Sequence, residues 1–481
     1  MKMIILVSIL VITAVIFAAC GGSSTDEDYF IDYTTENGFD YGGLHDDNED
    51  YNEIQFVEIE GVMREIRPRG SLTIDDFLAD LDYMVYVLEN NFALLDVAYW
   101  AHGIDYKELA EQARRLVLDM DEPCEDTFLA IVSYSFMPLL GTGHFQIVGH
   151  STHASMANNS FYGGYLGRKH LMNVELVRSP LARRFYTGNT GHIHTSNTAM
   201  EQLIELYGMP FNRLLAGEPS ISQPVTTEII EEGRIAYISS GRNMAELANA
   251  QNQIFSFKRE IADFDHLILD LRGNIGGNVG SFLHVLLRPH LREATEAPLA
   301  FYFFQDSPYI RRFGDLLFEA TISSGGMTIT EPYRPAEEIL AAFDLPEINH
   351  DDIARLHYGA PARFYSLLIP NWILVAPDFE FNGKIWMLTD ESMGSASTAA
   401  PWIAKEMGFA TLVGETTAGV LGGPRTLAFM PNTGIIFYFD MFYLTDSRGR
   451  PLEAGVIPHH FNREGMDALE TTLALIYEGE W

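Results

Sequence analysis

Two short apolar runs constrain this chain more than any other feature. HLILDLRG, starting at His266, and KIWMLTD, starting at Lys384, are each one strand long, and each leads through small residues into a helical segment. RIAYISS precedes them and TLVGE follows, while ELANAQNQIFSFKREIADF, VGSFLHVLLRPHL and SASTAAPWIAKEMG lie between as helices. Alternation of this kind argues for an α/β layer of largely parallel strands.

In such sheets ligands sit beyond the carboxyl ends of the strands, so the two loops there carry the candidate chemistry. The first is DLRGNIGGNVG, residues 270–280, where Gly273, Gly276 and Gly277 permit positive φ and let backbone N–H groups face a cleft. It lacks the GxGxxG spacing of a dinucleotide site, and no lysine follows to make a phosphate loop. An anion-binding nest and a plain tight turn both remain open. The second loop, TDESMGSASTAA, ends a strand at Asp390, turns at Gly394 and enters a helix near Ser397. Ser395 then lies at a helix N-terminus, where free N–H groups and the dipole favour developing negative charge, and the Ala396 N–H is an oxyanion donor. The plainer alternative is that Ser395 or Ser397 caps the helix.

Upstream, residues 61–150 read as a small helical bundle. SLTIDDFLADLDYMVYVLENNF opens with Ser71 and Thr73 before Asp75 and Asp76, a helix-start signature, and YKELAEQARRLVLDM and DTFLAIVSYSFMPLL supply two further helices. Residues 151–230 give no firm assignment and no convincing PDZ-like module. Residues 231–481 form the α/β core, with 300–378 read as an insertion, a lid or dimer surface, and FYFFQDSPY as core or dimer face. RTLAFMPNTGIIFYFDMFYLTDSRGRPLEAGVIPHH reads as consecutive strands with turns at Asn432–Gly434 and Ser447–Gly449.

The N-terminus points outward. MKMIILVSILVITAVIFAAC has one basic residue, Lys2, an unbroken apolar run and a Phe17-Ala18-Ala19-Cys20 ending. Residues 1–20 are thus expected to be a lipoprotein signal peptide with Cys20 lipidated, placing the protein outside the cytoplasm on a membrane. Residues 21–60 hold thirteen acidic residues and no Lys or Arg, the composition of an extended tether. The whole chain of 481 residues carries a formal net charge of -35, which disfavours a nucleic-acid partner. With Cys20 set aside, Cys124 stands alone, so no intrachain disulfide is expected.

LILDLRGNIGG, SMGSASTAA, ATLVGETTAGVLGG and LTDSRGRPLEAGVIP occur here in the order in which they occur in the C-terminal-processing and tricorn-core serine peptidases. The resemblance runs from about residue 75 to 460, including LLGTGHFQI. It implies a ClpP/crotonase-like α/β core, mostly parallel strands behind a helical bundle, no metal or organic cofactor, and a peptide or protein substrate. The position of the nucleophile is held by Ser395. The processing branch uses a lysine after the GExT motif, but Val420 stands there, and no Lys or Arg occurs between Lys405 and Arg425. Lys405 is ten residues beyond Ser395, on the order of 15 Å by helix rise, too far to serve. The tricorn-like branch uses histidine and glutamate, which the resemblance places at His144 and Glu453, with the oxyanion on N–H groups of Gly276, Gly277 and Ala396. One departure is that Gly143 replaces the usual serine before the histidine, leaving Thr142 as a substitute. The expectation is therefore an exported, membrane-tethered serine endopeptidase. The alternative is an inactive lipoprotein of the same fold that binds a peptide or apolar ligand. His150 with His153, and His192 with His194, lack acidic or cysteine partners at ligand spacing, so no metal site is expected.

Overall fold

A computed structural model describes residues 56–59, 62–157, 176–187, 224–290, 298–307, 327–329, 331–364, 381–419 and 425–479. The strand His266–Asp270 is buried at all five positions, and a strand with no polar face belongs in the middle of a sheet. It pairs in parallel with Ile235–Ser239 on one side and Lys384–Thr389 on the other, so that Ile268 stands between Tyr237 and Trp386. Thr411–Gly414 and His460–Phe461 extend the sheet in parallel, while Thr226–Glu231 closes the opposite edge antiparallel. This is the α/β core with mostly parallel strands that the alternation predicts.

The two faces of the sheet pack separately because side chains alternate along each strand. Leu267, Leu269 and Met387 join the main core with Phe257, Trp402 and Ile403 from the helices Gln251–Glu260 and Ala396–Glu406. Ile268, Trp386 and Val413 face the other way, onto Leu475 and Ile476 of the C-terminal helix Ala468–Glu478.

The bundle has four helices where the sequence suggests three. Thr73 caps Ile74–Asn91 in a reciprocal box with Asp76, and Tyr106–Leu118 and Glu125–Ser135 follow as expected. Between them lies Leu95–His102, too short to show a helical period and ended by left-handed Gly103. The helix expected over 246–264 is broken at Ala250 into Met244–Asn249 and Gln251–Glu260.

Residues 300–378, expected as an insertion, are described in part. Leu299–Phe304 pairs antiparallel with Tyr358–Phe364 and with Tyr443–Thr445, so the described part of that segment supplies strands to a second sheet. Phe301 and Phe303 are fully buried, which makes FYFF core.

A third sheet brings the distant parts of the site together. Arg425–Phe429 and Ile436–Asp440 form a hairpin turning through Asn432–Gly434, and Gln146–Ile147 pairs antiparallel with the second strand, Tyr438 opposite Gln146. Asp80 of the first helix holds this turn, accepting from the backbone N–H and Nδ2 of Asn432 and from the N–H and Oγ1 of Thr433. Burial pushes the Asp80 carboxyl up to about 6, against the pull of those donors. The bundle is thereby fastened to the strand that ends at Asp440, and the turn before Gln146 is carried to the mouth of the sheet. Cys20, the tether as far as residue 55, His192, His194 and Val420 lie outside the described residues, as does most of the region searched for a PDZ-like module; the end of the expected tether is instead a strand, Phe56–Ile59.

Candidate active site

The turn between Thr389 and Ala396 is built to present one side chain. Asp390 folds it back by accepting from the N–H and Oγ of Ser392, and its Oδ2 accepts from the Gly273 N–H across the cleft. Gly394 bridges to Gly419, the Ser395 N–H donates to the Gly419 carbonyl at 3.0 Å, and Ala418 donates to Met393. Ser395 is left at φ 57° and ψ -124°, a conformation that costs a non-glycine residue roughly 1–3 kcal/mol and persists only where surroundings impose it. Its hydroxyl does not cap the helix that follows. Ser397, by contrast, is fully buried and donates to the carbonyls of Asn274 and Gly394, tying the two loops together.

The Ser395 hydroxyl meets an imidazole instead. His144 Nε2 lies 3.1 Å from Ser395 Oγ, and its Nδ1 lies 2.6 Å from Asp440 Oδ2. A carboxylate on Nδ1 fixes the proton there and leaves the Nε2 lone pair facing the hydroxyl. Asp440 is fully buried, and its Oδ1 has no hydrogen-bond partner among the described residues, so the imidazole is the one hydrogen-bonding group that answers this carboxylate. Burial and then the Asp440 charge keep the nearby Tyr302 phenol protonated by raising its pKa.

Glu453 is not on the imidazole. Its Oε1 accepts the Gly143 N–H at 2.7 Å, one residue before His144, so it holds the backbone of the histidine turn. The expectation of a glutamate orienting the ring is thus corrected: the ring partner is Asp440, and Glu453 is buried behind the turn. Gly143 itself is closely packed. At φ 46°, a Cβ there would lie 2.5 Å from Phe92 Cε2 and 2.6 Å from Leu94 Cδ1, so a serine has no room to relay a contact to the ring.

The glycine loop lies against Ser395. A Cβ on Gly276 would meet the Gly394 carbonyl at 2.7 Å and Ser395 Cβ at 2.9 Å, so the close approach requires glycine. The Gly276 N–H is engaged by Asn274 Oδ1 at 3.0 Å, which removes it from the expected oxyanion donors. No described residue accepts from the N–H of Gly277 or of Ala396, and these two remain open to an incoming oxyanion. Lys405 donates its Nζ to the Ile457 carbonyl at 2.8 Å and is held away from Ser395. His150 is paired with Asp126, and His153 with the Val177 carbonyl.

Residues 315–460, the stretch that carries Ser395, Asp440 and Glu453, match the model of peptidase family S41. Over that stretch the chain is similar to the family, and the match takes in strands of the mostly parallel sheet described above. Among solved structures, the chain is similar to mature CPAF complexed with lactacystin at 13% identity and TM-score 0.45, over 85% of this chain and 100% of that one. A putative peptidase from Parabacteroides merdae gives 13% and 0.43, over 84% and 97%. A lipoprotein from Streptococcus agalactiae gives 11% and 0.40, over 86% and 98%. No curated protein sequence matches.

Asp440 is the site residue that sequence reading missed. The available signal was an acid inside an otherwise apolar run, IIFYFDMFYL, since a buried carboxylate needs a partner.

Proposed function

We propose that this protein is an exported, lipid-tethered serine endopeptidase that cleaves peptide bonds through an acyl-enzyme. The observation that carries the reading is the relay Ser395–His144–Asp440, with contacts of 3.1 and 2.6 Å. Ser395 Oγ attacks the scissile carbonyl while His144 Nε2 takes its proton; the tetrahedral oxyanion is held by the N–H groups of Gly277 and Ala396. His144 then returns the proton to the leaving amine, and water, activated in the same way, releases the acyl group. Asp440 keeps the ring in the reactive tautomer and stabilises the imidazolium. Preorganised donors of this kind supply roughly 3–4 kcal/mol each toward the barrier. The family match supports a peptide or protein substrate.

Export and tethering are supported by the Lys2 and apolar-run signature ending at Cys20. A serine-directed fluorophosphonate probe tests the chemistry: the folded protein is labelled, and Ser395→Ala abolishes labelling. Absence of labelling of the folded protein from pH 6 to 9 overturns the reading in favour of an inactive binder. Incorporation of a clickable fatty acid in cells, lost in Cys20→Ala, tests the anchor.

A further inference from the structure

We infer that the bundle contributes a subsite for an uncharged apolar side chain of the substrate, set within three residues of the scissile bond. This rests on the peptidase reading but is tested separately from it. The observation is a cavity of about 110 Å³ between the end of the helix Glu125–Ser135, the strand Gln146–Ile147 and the helix His150–Ala157. Its apolar lining is Phe136, Met137, Leu140, Phe145 and Ile147; Ser133, Gln146, Gly149 and Thr152 complete the wall, and none of these nine residues carries a charge.

Its position relates it to the reaction. Leu140 and Phe145 bracket the turn that bears His144, so the histidine turn and the cavity share one stretch of chain. At about 3.3 Å per extended residue, Ile147 is on the order of 10 Å from His144, the reach of a substrate residue three positions from the cut. The strand can also guide the peptide. Val148 N–H donates to the Ile436 carbonyl, so by antiparallel alternation the N–H and C=O of Ile147 face away from the hairpin, toward an edge with no partner strand among the described residues. An extended peptide adding to that edge gains main-chain hydrogen bonds and presents alternate side chains to the wall.

Size and chemistry narrow the occupant. An apolar cavity of about 150 Å³ takes a benzene ring, so a cavity somewhat smaller suits a branched or unbranched aliphatic side chain such as Leu, Val or Met. Two exposed apolar residues on the site's loops agree with this. Leu140 is 54% exposed beside the cavity and Ile275 is 53% exposed on the glycine loop, both where an apolar substrate would cover them.

The test uses the full chain carrying Ser395→Ala, so that binding is read without turnover. Fluorescein-labelled hexa-alanine peptides carry Leu, Met, Gly, Asp or Lys at each position in turn, and affinity is followed by fluorescence anisotropy. At one position within three residues of the preferred cleavage point, Leu and Met bind roughly 10-fold or more tighter than Gly, Asp or Lys, the selectivity an apolar pocket provides. Met137→Trp, added to fill the cavity, removes that preference while thermal unfolding shows the protein intact. Equal affinity across the series, or a Leu preference that survives Met137→Trp in folded protein, overturns the subsite. Labelling of the wild-type serine by fluorophosphonate, which needs no such side chain, decides the peptidase reading on its own.

Discussion

His144 and Ser395 are the two non-glycine residues with positive φ among the described residues, at 50° and 57°, and they are hydrogen-bonded to each other. Strain concentrated at the two ends of one contact, and absent from the rest of the described non-glycine backbone, is stored where the surroundings over-determine it. Gly419 fixes one end through the Ser395 N–H, and Glu453 fixes the other through the Gly143 N–H.

Relieving that strain should stabilise the protein and end its activity together. Ser395→Gly removes the nucleophile and also the Cβ that makes φ 57° costly, so urea unfolding should shift to higher midpoint by roughly 1 kcal/mol. Ser395→Ala loses the hydroxyl but keeps the strain, and should not gain that stability. Equal midpoints for the two variants would mean that the turn is relaxed.

The two buried acids should separate in kinetics. Asp440→Asn puts an amide against Nδ1 and favours the wrong tautomer, so kcat for a cleaved peptide should fall roughly 10³- to 10⁴-fold. Glu453→Gln keeps an oxygen to accept the Gly143 N–H and should cost far less, visible mainly as lower thermal stability. A larger kinetic loss in Glu453→Gln than in Asp440→Asn would return the orienting role to the glutamate.

Restoring the serine that the tricorn-like pattern carries before the histidine should damage this protein. Gly143→Ser drives a Cβ into the Phe92 ring and Leu94 at a positive φ, and overpacking of this kind costs about 1–3 kcal/mol. Denaturant titration reads the loss, and fluorophosphonate labelling should slow as the His144 turn shifts. Unchanged stability would show that Phe92 and Leu94 yield freely.

What the sequence made legible follows the range of the interactions. Strand–helix alternation, the Thr73 capping box and the small-residue turn at Ser395 are local, and each stands where its own residues dictate. Asp440 was hidden because its meeting with His144 depends on which strand pairs with Gln146–Ile147, and neither strand's own pattern names its partner. Glu453 was read as the ring partner because RPLEAGVIP stands where the tricorn-like branch carries its glutamate; in the fold its carboxylate accepts from the Gly143 N–H. Gly276 looked like a donor, yet Asn274, two residues earlier, occupies its N–H. Leu95–His102 and the break at Ala250 were invisible because both are shorter than the window over which a helical period shows.

Ser397 should act as a positioning residue. Its hydroxyl joins Asn274 of the oxyanion loop to Gly394 of the nucleophile turn, so Ser397→Ala loosens the spacing between the two without touching substrate. The expected signature is a kcat reduced by roughly 10- to 100-fold at nearly constant KM, since misplacement of catalytic groups by about 1 Å costs on that order. Ser397→Thr, which retains the hydroxyl, should recover part of the rate; a rise in KM alone would show that the residue serves substrate binding.

Lys258 predicts how stability varies with pH. Its ammonium group is fully buried, donating to the carbonyls of Val285 and Leu286 and contacting His290 Nε2, and burial pushes its pKa from 10.5 down to about 7. Between those values the unfolded chain holds a proton that the folded chain has released, so unfolding takes up a proton and stability rises with pH. Below about 7 both states are protonated and this contribution is flat at its lowest level. The His290 imidazole, pushed down by burial and then by Lys258, adds a rise of the same sign below its ordinary 6.5, which keeps the two windows apart. Urea unfolding at pH steps from 7 to 10 should therefore show wild type gaining on Lys258→Met by up to about 1.4 kcal/mol per pH unit, the value of one proton. The lost donors to Val285 and Leu286 lower the variant by a constant amount and leave this slope untouched. Parallel curves for the two proteins across that range would mean that Lys258 stays charged in the folded core.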